Sequence, residues 1–528
     1  MTSRVSRVAV LFAVVLASIV PRVVAAAPRT PEIDVILWFD TEDYISPSDD
    51  EADKRLAEML SERKIRATFK VVGEKARVLE RHGRQDVIAA LKKHCIGFHA
   101  NFHSVHPAPA EYLADCGLLD GMAEFARREG PGAADVRRVF GVPSLACYGQ
   151  PGSSWASQAI AAEPMCGITV DGVPCYVDSG DHVGMGGVPF WYAGALVVYD
   201  MHPNETRMDL FAPGGLEKGE KEFAAIAHRL AHEGGGLISI FYHPCEWVTS
   251  QFWDDPNFRR GANPPPEQWK LPRQRTPQEA ERAIRRFADY IDAMRSTPGV
   301  RFVAACDLPK LYPDRLMTEG ASPGEVLELA RRLLRPDLPG LDDEAVGGKV
   351  FSPADQFEVL ALAVARLIDG QKDADAAGIV AERLLGPDSA PPGEGGVTEP
   401  IPWPAFRAAA LDVRDYLRFN HRVPPRVFIG ADAVPPADFL IGLASAYASY
   451  HDLHGFPQVV ALGRNVELLT ARHVARDEPK LFGGWIIHKE GFRAPKVLDV
   501  ARLQAWTLKP ATRVAGQHGT VSQSTDKS

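Results

Sequence analysis

Short runs of β-branched and aromatic residues alternate with amphipathic segments from residue 35 to residue 306 of the 528-residue chain. The runs predict strands at VILWF (35–39), ATFKVVG (67–73), CIGFH (95–99), SLACYG (144–149), GITVDG (167–172), LISIFYH (237–243) and VRFVAAC (300–306). The segments between them predict helices at 52–64, 85–94, 111–129, 220–234 and 276–296. This alternation predicts an α/β fold of parallel strands with helical crossovers, either closed as a small or incomplete barrel or open as a doubly wound sheet.

The pattern changes near PDRLMTEGASP (313–323), where we place a domain boundary. Helical periodicity follows, and the stretch from 386 to 404 is rich in proline and glycine, as linkers and long loops are. We therefore predict an α/β domain over 33–312, a helical region over 325–385, a mainly α-helical accessory domain over 404–510 and a disordered tail over 511–528.

The first 27 residues have the features of a signal peptide. They combine arginines near the start, the apolar run VAVLFAVVLASIV and small residues in VVAAAP. We expect export, to the periplasm, the cell envelope or the medium, and no transmembrane segment after signal removal, because no later run approaches the roughly 20 apolar residues of a membrane helix. The formal net charge of −9 argues against a nucleic acid partner.

Polar clusters follow three of the predicted strands, and these are Asp40, Glu42 and Asp43 after the first, His99 and His103 after the third, and His243 after LISIFY. The C-terminal ends of parallel strands meet at one edge, where α/β proteins carry their chemistry. Two imidazoles and one carboxylate suit zinc or a similar divalent ion with open positions. The alternatives are solvated or capping histidines, and carboxylates that serve a helix N-terminus.

RATFKVVGEKARVL and HCIGFHANFH resemble two motifs of the polysaccharide deacetylases, A-T-F-F-V-x-G and G-H-E-I-G-x-H-x-x-x-H. The resemblance to this NodB-homology family, carbohydrate esterase family 4, covers about residues 33 to 312. It implies a distorted (β/α)7 barrel and assigns His99 and His103 as metal ligands. His94 is then structural and His106 shapes the rim, although a pairing of His103 with His106 stays open.

The same resemblance implies roles for the other clusters. In WFDTEDY it makes Asp40 the catalytic base and Glu42 the metal carboxylate, with Asp43 as the alternate ligand. In FYHPCEW it makes His243 the general acid. A thiol nucleophile at Cys245 with a histidine base is a separate alternative, but no oxyanion motif accompanies it.

The family's Arg-x-Pro motif, whose arginine orients the base, aligns on Gly149, Gln150 and Pro151. No arginine therefore stands at this place. Either another cation such as Arg259 or Arg260 substitutes for it, or the base has its pKa set by other groups, or activity is reduced. Aromatic faces stack on sugar rings, so the aromatic-rich stretch 251–274 is a candidate glycan surface. The predicted substrate-binding residues are Tyr148, Pro151, Trp247 and Trp253.

Residues 406–450 resemble the pseudomurein-binding repeat, a small module associated with cell-wall polymers. That resemblance implies a domain that tethers the protein to its substrate and raises its local concentration. The alternative is a helical domain with no glycan affinity, since amphipathic helices at this period usually form a core.

Together these features predict an exported, zinc-dependent hydrolase that removes N- or O-acetyl groups from a polysaccharide or cell-wall glycan. The first alternative is a catalytically impaired glycan-binding protein on the same fold, motivated by the missing arginine. The second is hydrolysis of a non-sugar amide.

Overall fold

The computed structural model describes residues 32–371, 378–393 and 399–514. The predicted signal peptide and most of the predicted tail lie outside these residues. The strands are β1 (Ile33–Thr41), β2 (Thr68–Val71), β3 (Cys95–Phe98), β4 (Cys175–Val177), β5 (Phe190–Tyr192), β6 (Ala195–Val198), β7 (Gly236–Tyr242), β8 (Val300–Val303), β9 (Glu344–Val346), β10 (Lys349–Phe351), β11 (Ile401–Pro402), β12 (Val427–Ile429), β13 (Asp432–Val434), β14 (Val459–Val460) and β15 (Lys509–Pro510).

The helices are α1 (Pro47–Glu62), α2 (Gly73–Arg81), α3 (Gln85–Leu91), α4 (Pro109–Leu113), α5 (Leu118–Phe140), α6 (Ser157–Ala161), α7 (Gly215–Glu233), α8 (Cys245–Val248), α9 (Asp255–Phe258), α10 (Pro277–Arg295), α11 (Leu308–Leu311), α12 (Arg315–Glu319), α13 (Pro323–Leu333), α14 (Pro353–Ile368), α15 (Trp403–Asn420), α16 (Pro436–Leu453), α17 (Pro479–Gly483) and α18 (Pro495–Gln504). No helix within the described residues is long and apolar enough to span a bilayer.

Strand β1 is the centre of the main sheet and is buried along its whole length. Its sequence IDVILWFDT is apolar on both faces, as in strands covered by helices on both sides of a parallel sheet. It pairs in parallel with β7 on one edge, and on the other with β8 near its start and β2 near its end. Strand β3 lies next to β2, also in parallel. The predicted α/β fold with a parallel sheet is confirmed.

The sheet continues beyond β3 through single bridges, from Phe98 to Tyr148 and from Tyr148 to Tyr176 in β4. Strands β6, β5 and β15 follow, with β5 antiparallel to both of its neighbours. Among the described residues no strand ladder joins β7 to β15, so the predicted closed barrel is not confirmed. The predicted strands at 144–149 and 167–172 form only isolated bridges.

Helices on both faces of the sheet bury its apolar side chains in one extended core. Phe39 of β1 stacks on Phe69 of β2 with ring centroids 4.8 Å apart, and it meets Phe287 of α10 edge-on at 6.2 Å. Helix α10 begins with a capping box, because the Thr276 side chain accepts from the Glu279 backbone while the Glu279 carboxylate accepts from the backbone of Thr276. This rigid core fixes the C-terminal strand ends where the polar clusters lie.

A second core gathers α13, α14, α15 and α16 around side chains such as Phe357, Phe406 and Phe439. From residue 469 onward, however, the chain packs back on the first core, where Phe482, Leu498 and Leu508 are fully buried. Strand β15 then pairs with β5 of the main sheet. The packing therefore divides the chain differently from the prediction, which placed residues 404–510 in one unit.

Candidate metal centre

The predicted ligands come from two strand ends at one edge of the main sheet. Glu42 directly follows β1, and His99 directly follows β3, with β2 between the two strands. His103 lies in the turn after His99, where its positive φ of 57° turns the chain back toward the sheet. Because the strands are parallel, their C-terminal ends bring these three side chains together, as the sequence suggested.

The three side chains converge tightly and are almost completely buried. His103 Nε2 lies 2.7 Å and His99 Nε2 lies 3.1 Å from Glu42 Oε2. These three atoms all lie within 4.8 Å of one another, close enough to bind one ion. The geometry therefore matches the predicted set of two imidazoles and one carboxylate.

Hydrogen bonds fix the orientation of both imidazole rings. His99 Nδ1 donates to the Gly149 carbonyl at 3.0 Å. His103 Nδ1 lies 2.6 Å from Ser104 Oγ, and that hydroxyl donates its proton to Asp254 at 2.6 Å, so it accepts from Nδ1. With Nδ1 the donor in both rings, each neutral imidazole keeps an Nε2 lone pair that is available to a metal ion, whereas without an ion a protonated Nε2 would donate to Glu42. Such outer hydrogen bonds orient the histidines of metal sites.

Three acceptor atoms that face one another out of water need a positive charge between them, so the donor set fits a divalent cation. The shifts in pKa reflect the positive charge that the neighbouring histidines supply to Glu42. Burial raises the pKa of Glu42, but the charges of His103 and His243 outweigh burial and hold it well below its usual range. Burial lowers the pKa of His99. Burial also acts to lower the pKa of His103, but the charge and hydrogen bond of Glu42 together with the charges of Asp254 and Asp40 outweigh it and raise that pKa.

Asp43, the predicted alternate ligand, points away from the histidines. Its Oδ1 accepts from the backbone N–H groups of Ile45 and Ser46, both at 2.9 Å. Its carbonyl oxygen accepts from Lys75 Nζ at 2.9 Å. The geometry therefore favours Glu42 over Asp43 as the carboxylate of the site.

His106 does not pair with His103, contrary to the open alternative. Its Nδ1 lies 2.7 Å from Glu111 Oε2, and its Nε2 lies 3.2 Å from the carbonyl oxygen of Phe258. His94 also lies apart from the site, with Nε2 2.8 Å from the Ala57 carbonyl. The structural role predicted for His94 agrees with this position.

Asp40, the predicted base, lies beside this cluster and contacts a buried lysine. Lys70 Nζ is 2.9 Å from Asp40 Oδ1 and 2.6 Å from Asp178 Oδ2, and it lies 4.1 Å from the centroid of the Trp38 ring. Burial lowers the pKa of Lys70, but the two carboxylates raise it above its ordinary value, so the ammonium stays charged. The ammonium thus occupies the space that Asp40, His99 and Asp178 would otherwise offer to a metal.

Lys70 is a buried cation beside Asp40, where the resemblance implied an arginine, and a glycine makes room for it. A Cβ atom on Gly149, which aligns with that arginine, would lie 2.1 Å from Lys70 Nζ and 2.3 Å from Asp178 Oδ2. The proposed substitutes are wrong, because Arg259 pairs with Asp255 and both Arg259 and Arg260 are exposed. Sequence reasoning missed Lys70 and Asp178, and the available signal was a lysine inside the apolar strand TFKV.

His243, the predicted general acid, faces Asp40 at the end of β7. Its Nε2 is 3.5 Å from Asp40 Oδ2, and its Nδ1 donates to Glu246 Oε1 at 2.8 Å. Burial lowers the pKa of His243, but the charges of Glu42, Glu246 and Asp40 together with the Glu246 hydrogen bond raise it to about 9. The imidazole is therefore protonated at neutral pH and able to donate from Nε2.

The predicted substrate-binding residues are all buried, so none offers a surface to a polymer. Trp247 packs against Phe39 and Phe287 in the first core, and Tyr148 bridges two strands. Trp253 instead supports the site, because its Nε1–H donates to Glu42 Oε1 at 2.8 Å. An aromatic residue near a strand end or in a loop can be a core side chain as well as a binding one, and the sequence does not distinguish the two.

Cys245 is fully buried and packs in a small apolar cluster with Trp253 and Phe258. Burial raises the pKa of its thiol well above the usual value, and the nearby carboxylates raise it further. Burial therefore disfavours the thiolate that the thiol-nucleophile alternative requires.

No protein family and no curated protein matches the chain. Similar solved structures include PuuE allantoinase, with a TM-score of 0.34 at 12% identity over 54% of this chain and 91% of that one. Another is a family 4 carbohydrate esterase from Streptomyces lividans in complex with acetate, with a TM-score of 0.26 at 15% identity over 51% and 91%. A third is the peptidoglycan N-acetylglucosamine deacetylase Bc1960, with a TM-score of 0.27 at 13% identity over 53% and 89%. None of the comparisons supports the resemblance of residues 406–450 to a pseudomurein-binding repeat.

Proposed function

We propose that the chain is a metal-dependent hydrolase that removes acetyl groups from a polysaccharide. The observation that carries this proposal is the convergence of Glu42, His99 and His103, with Asp40 beside them and His243 Nε2 3.5 Å from Asp40. This set supplies a cation site, a base and an acid within one buried edge of the sheet. Metal-dependent hydrolysis of an amide or ester uses all three.

Glu42 Oε2, His99 Nε2 and His103 Nε2 are the atoms that would hold the metal, for which we propose zinc. When bound, a divalent ion lowers the pKa of a water molecule toward about 7 and polarises the acyl carbonyl. Trp253 and the Ser104–Asp254 pair keep the carboxylate and one imidazole in place through their hydrogen bonds.

Asp40 would accept the proton of the attacking water. Lys70 holds its Oδ1, which leaves Oδ2, on the side of His243, as the oxygen available for that proton. His243 would then donate its Nε2 proton to the leaving nitrogen or oxygen, and Glu246 keeps the ring oriented through Nδ1. A poor leaving group such as an amine or alkoxide requires this proton.

A cavity of about 500 Å³ lies beside Glu246 and Phe252, two residues that contact His243. His243 itself is not among the residues that line the cavity, which include Arg207 and Arg275. This volume is in the range of small-molecule sites, so it is large enough for a sugar unit. Polar and aromatic groups in one lining suit a sugar ring, which has hydroxyl edges and an apolar face.

Lys70 weakens the alternative of a glycan-binding protein that has no catalytic activity. That alternative was motivated by the missing arginine, and a buried cation 2.9 Å from Asp40 removes this motive. We also propose export of the chain, on the sequence of residues 1–27 alone.

The test is acetate release by the zinc-loaded mature protein from chitin oligomers, peptidoglycan and acetylated xylan. We expect release from at least one polymer, and loss of release in Asp40→Asn with the zinc content unchanged. Zinc binding without release from any polymer would favour the binding protein. Release from a small non-sugar amide alone would favour the second alternative.

A further inference from the structure

Residues 469–513, here the return segment, are joined to the α/β body at several points. Val474 bridges to Val183, and Ala475 N donates to the His182 carbonyl at 2.9 Å. Lys509 of β15 pairs with Trp191 of β5. The segment is therefore built into the body that carries the candidate site, although more than 150 residues of chain separate it from β8.

Part of the return segment lies along the rim of the candidate metal centre. Its Ile486 and Ile487 carbonyls accept from the backbone N–H groups of Arg260 and Gly261, at 3.0 and 2.9 Å. Ile487 is fully buried in the apolar cluster that also contains Trp253, the indole that donates to Glu42. These contacts fix the backbone directly after Trp485 against the site.

Trp485 lies next to one of the candidate ligands. Its ring centroid is 5.7 Å from that of His103, with the two planes at 87°. A Cβ atom on Gly152 would lie 2.4 Å from Trp485 Cε2, so the indole lies against the loop that follows Gly149. Unlike Trp247 and Trp253, which are fully buried, Trp485 is only partly buried.

Phe252 offers an aromatic surface beside another histidine of the site. It is 37% exposed, and its ring centroid is 5.0 Å from that of His243. The partly buried Trp485 beside His103 and the exposed Phe252 beside His243 are thus aromatic rings next to two different histidines of the site.

We infer that Trp485 binds the substrate by stacking on a sugar ring, so that the return segment supplies a wall of the glycan site. This inference rests on the proposed function for the identity of the ligand. An indole face is a large, flat apolar surface that matches the apolar face of a pyranose. The return segment is then part of the catalytic unit rather than of the helical region before it.

The test is oligosaccharide binding by isothermal titration in the full-length Asp40→Asn protein, with N-acetylglucosamine hexamer, a peptidoglycan fragment and an acetylated xylan oligomer as probes. Trp485→Leu keeps apolar bulk on Gly152 but lacks a flat ring, and we expect binding about tenfold weaker. Trp485→Phe restores a ring and should bind within about threefold of the parent. The matched control is Trp403→Leu, because Trp403 is also partly exposed but stacks on Phe456 in the second core.

Zinc content and circular dichroism of each variant separate lost stacking from lost folding. If Trp485→Leu alone loses affinity while its zinc content and circular dichroism match the parent, the inference is supported. Affinity within twofold of the parent would overturn it, and so would the absence of binding to every probe. Binding that depends on Trp485 in a protein whose wild type releases no acetate would keep the inference and overturn the proposed function.

Discussion

Replacement of Lys70 by methionine removes the cation between Asp40 and Asp178 but keeps the length of the side chain. The lysine is fully buried, and the two carboxylate side chains are only 5% and 8% exposed. Breaking a buried ion pair from one side costs about 3–5 kcal/mol, because a charge is left buried and unpaired. Burial and the charge of Asp40 already raise the pKa of Asp178 to about 7, so protonation relieves part of the cost. We therefore expect Lys70→Met to lower the free energy of unfolding by about 3 kcal/mol.

A second change separates this charge effect from a packing effect. In Lys70→Met with Asp178→Asn, the remaining carboxylate no longer faces a second one, so we expect the double variant to regain about 2 kcal/mol relative to Lys70→Met. Lost packing would instead persist in the double variant. The sign of the coupling between the two positions therefore identifies the cause.

The assay is urea unfolding of the full chain followed by tryptophan fluorescence, with the free energy taken from the linear dependence on urea. The control is Lys218→Met, whose side chain is 77% exposed and which should change stability by less than about 0.5 kcal/mol. A loss of unfolding free energy below about 1 kcal/mol in Lys70→Met, or a double variant no more stable than the single one, would show that buried unpaired charge is not the cause.

Three further outcomes follow from the contacts of the site. In the metal-free protein we expect the pKa of His243, measured by NMR, to be about 9. Zinc should lower this pKa because the cation repels the imidazolium, and an unchanged pKa would show that the ion does not bind next to His243. Ser104→Ala breaks the link from Asp254 to His103 and should weaken zinc binding about 10–100-fold by competition titration, whereas an unchanged affinity would contradict the relay. Trp253→Phe removes the N–H that Glu42 accepts and should weaken zinc binding in the same assay, with equal affinity as the contrary result.

The sequence predicts that Glu42 and His99 come together because each directly follows a buried strand, β1 and β3, of one parallel sheet. Parallel pairing places Glu42 and His99 at one edge whatever the detailed shape of the sheet. The choice between Glu42 and Asp43 depends on where each side chain points. In the structure Asp43 turns away because it accepts from the two backbone N–H groups that follow it, at 45 and 46.

The sequence does not predict the cation partner of Asp40. Lys70 lies in an apolar strand, where a charged residue contradicts the pattern unless its partners are known, and Asp178 follows a strand of only three residues. Gly149 carries no chemical signal, although its missing side chain is what admits the ammonium. The charged Lys70 in an apolar strand and the missing side chain at Gly149 are thus explained only by their contact in the folded structure.

Phe252 lies in the stretch 251–274 that the sequence indicates as a candidate glycan surface, whereas Trp485 was beyond sequence reasoning for a different reason. Trp485 reaches the site through the return segment, which packs on the first core after the whole helical region has intervened. Periodicity describes neighbours along one element and holds no information on such distant packing. The predicted Trp247 and Trp253 lie closer to the site in sequence but are buried.

Elemental analysis of purified variants after equilibration with zinc tests whether Glu42, His99 and His103 bind one metal ion. We predict that the wild type binds one zinc per chain, that Glu42→Gln, His99→Ala and His103→Ala lose it, and that Asp43→Asn and His106→Ala keep it. Retention of zinc by the first three variants, or its loss from Asp43→Asn instead of Glu42→Gln, would show that these three residues are not the ligands.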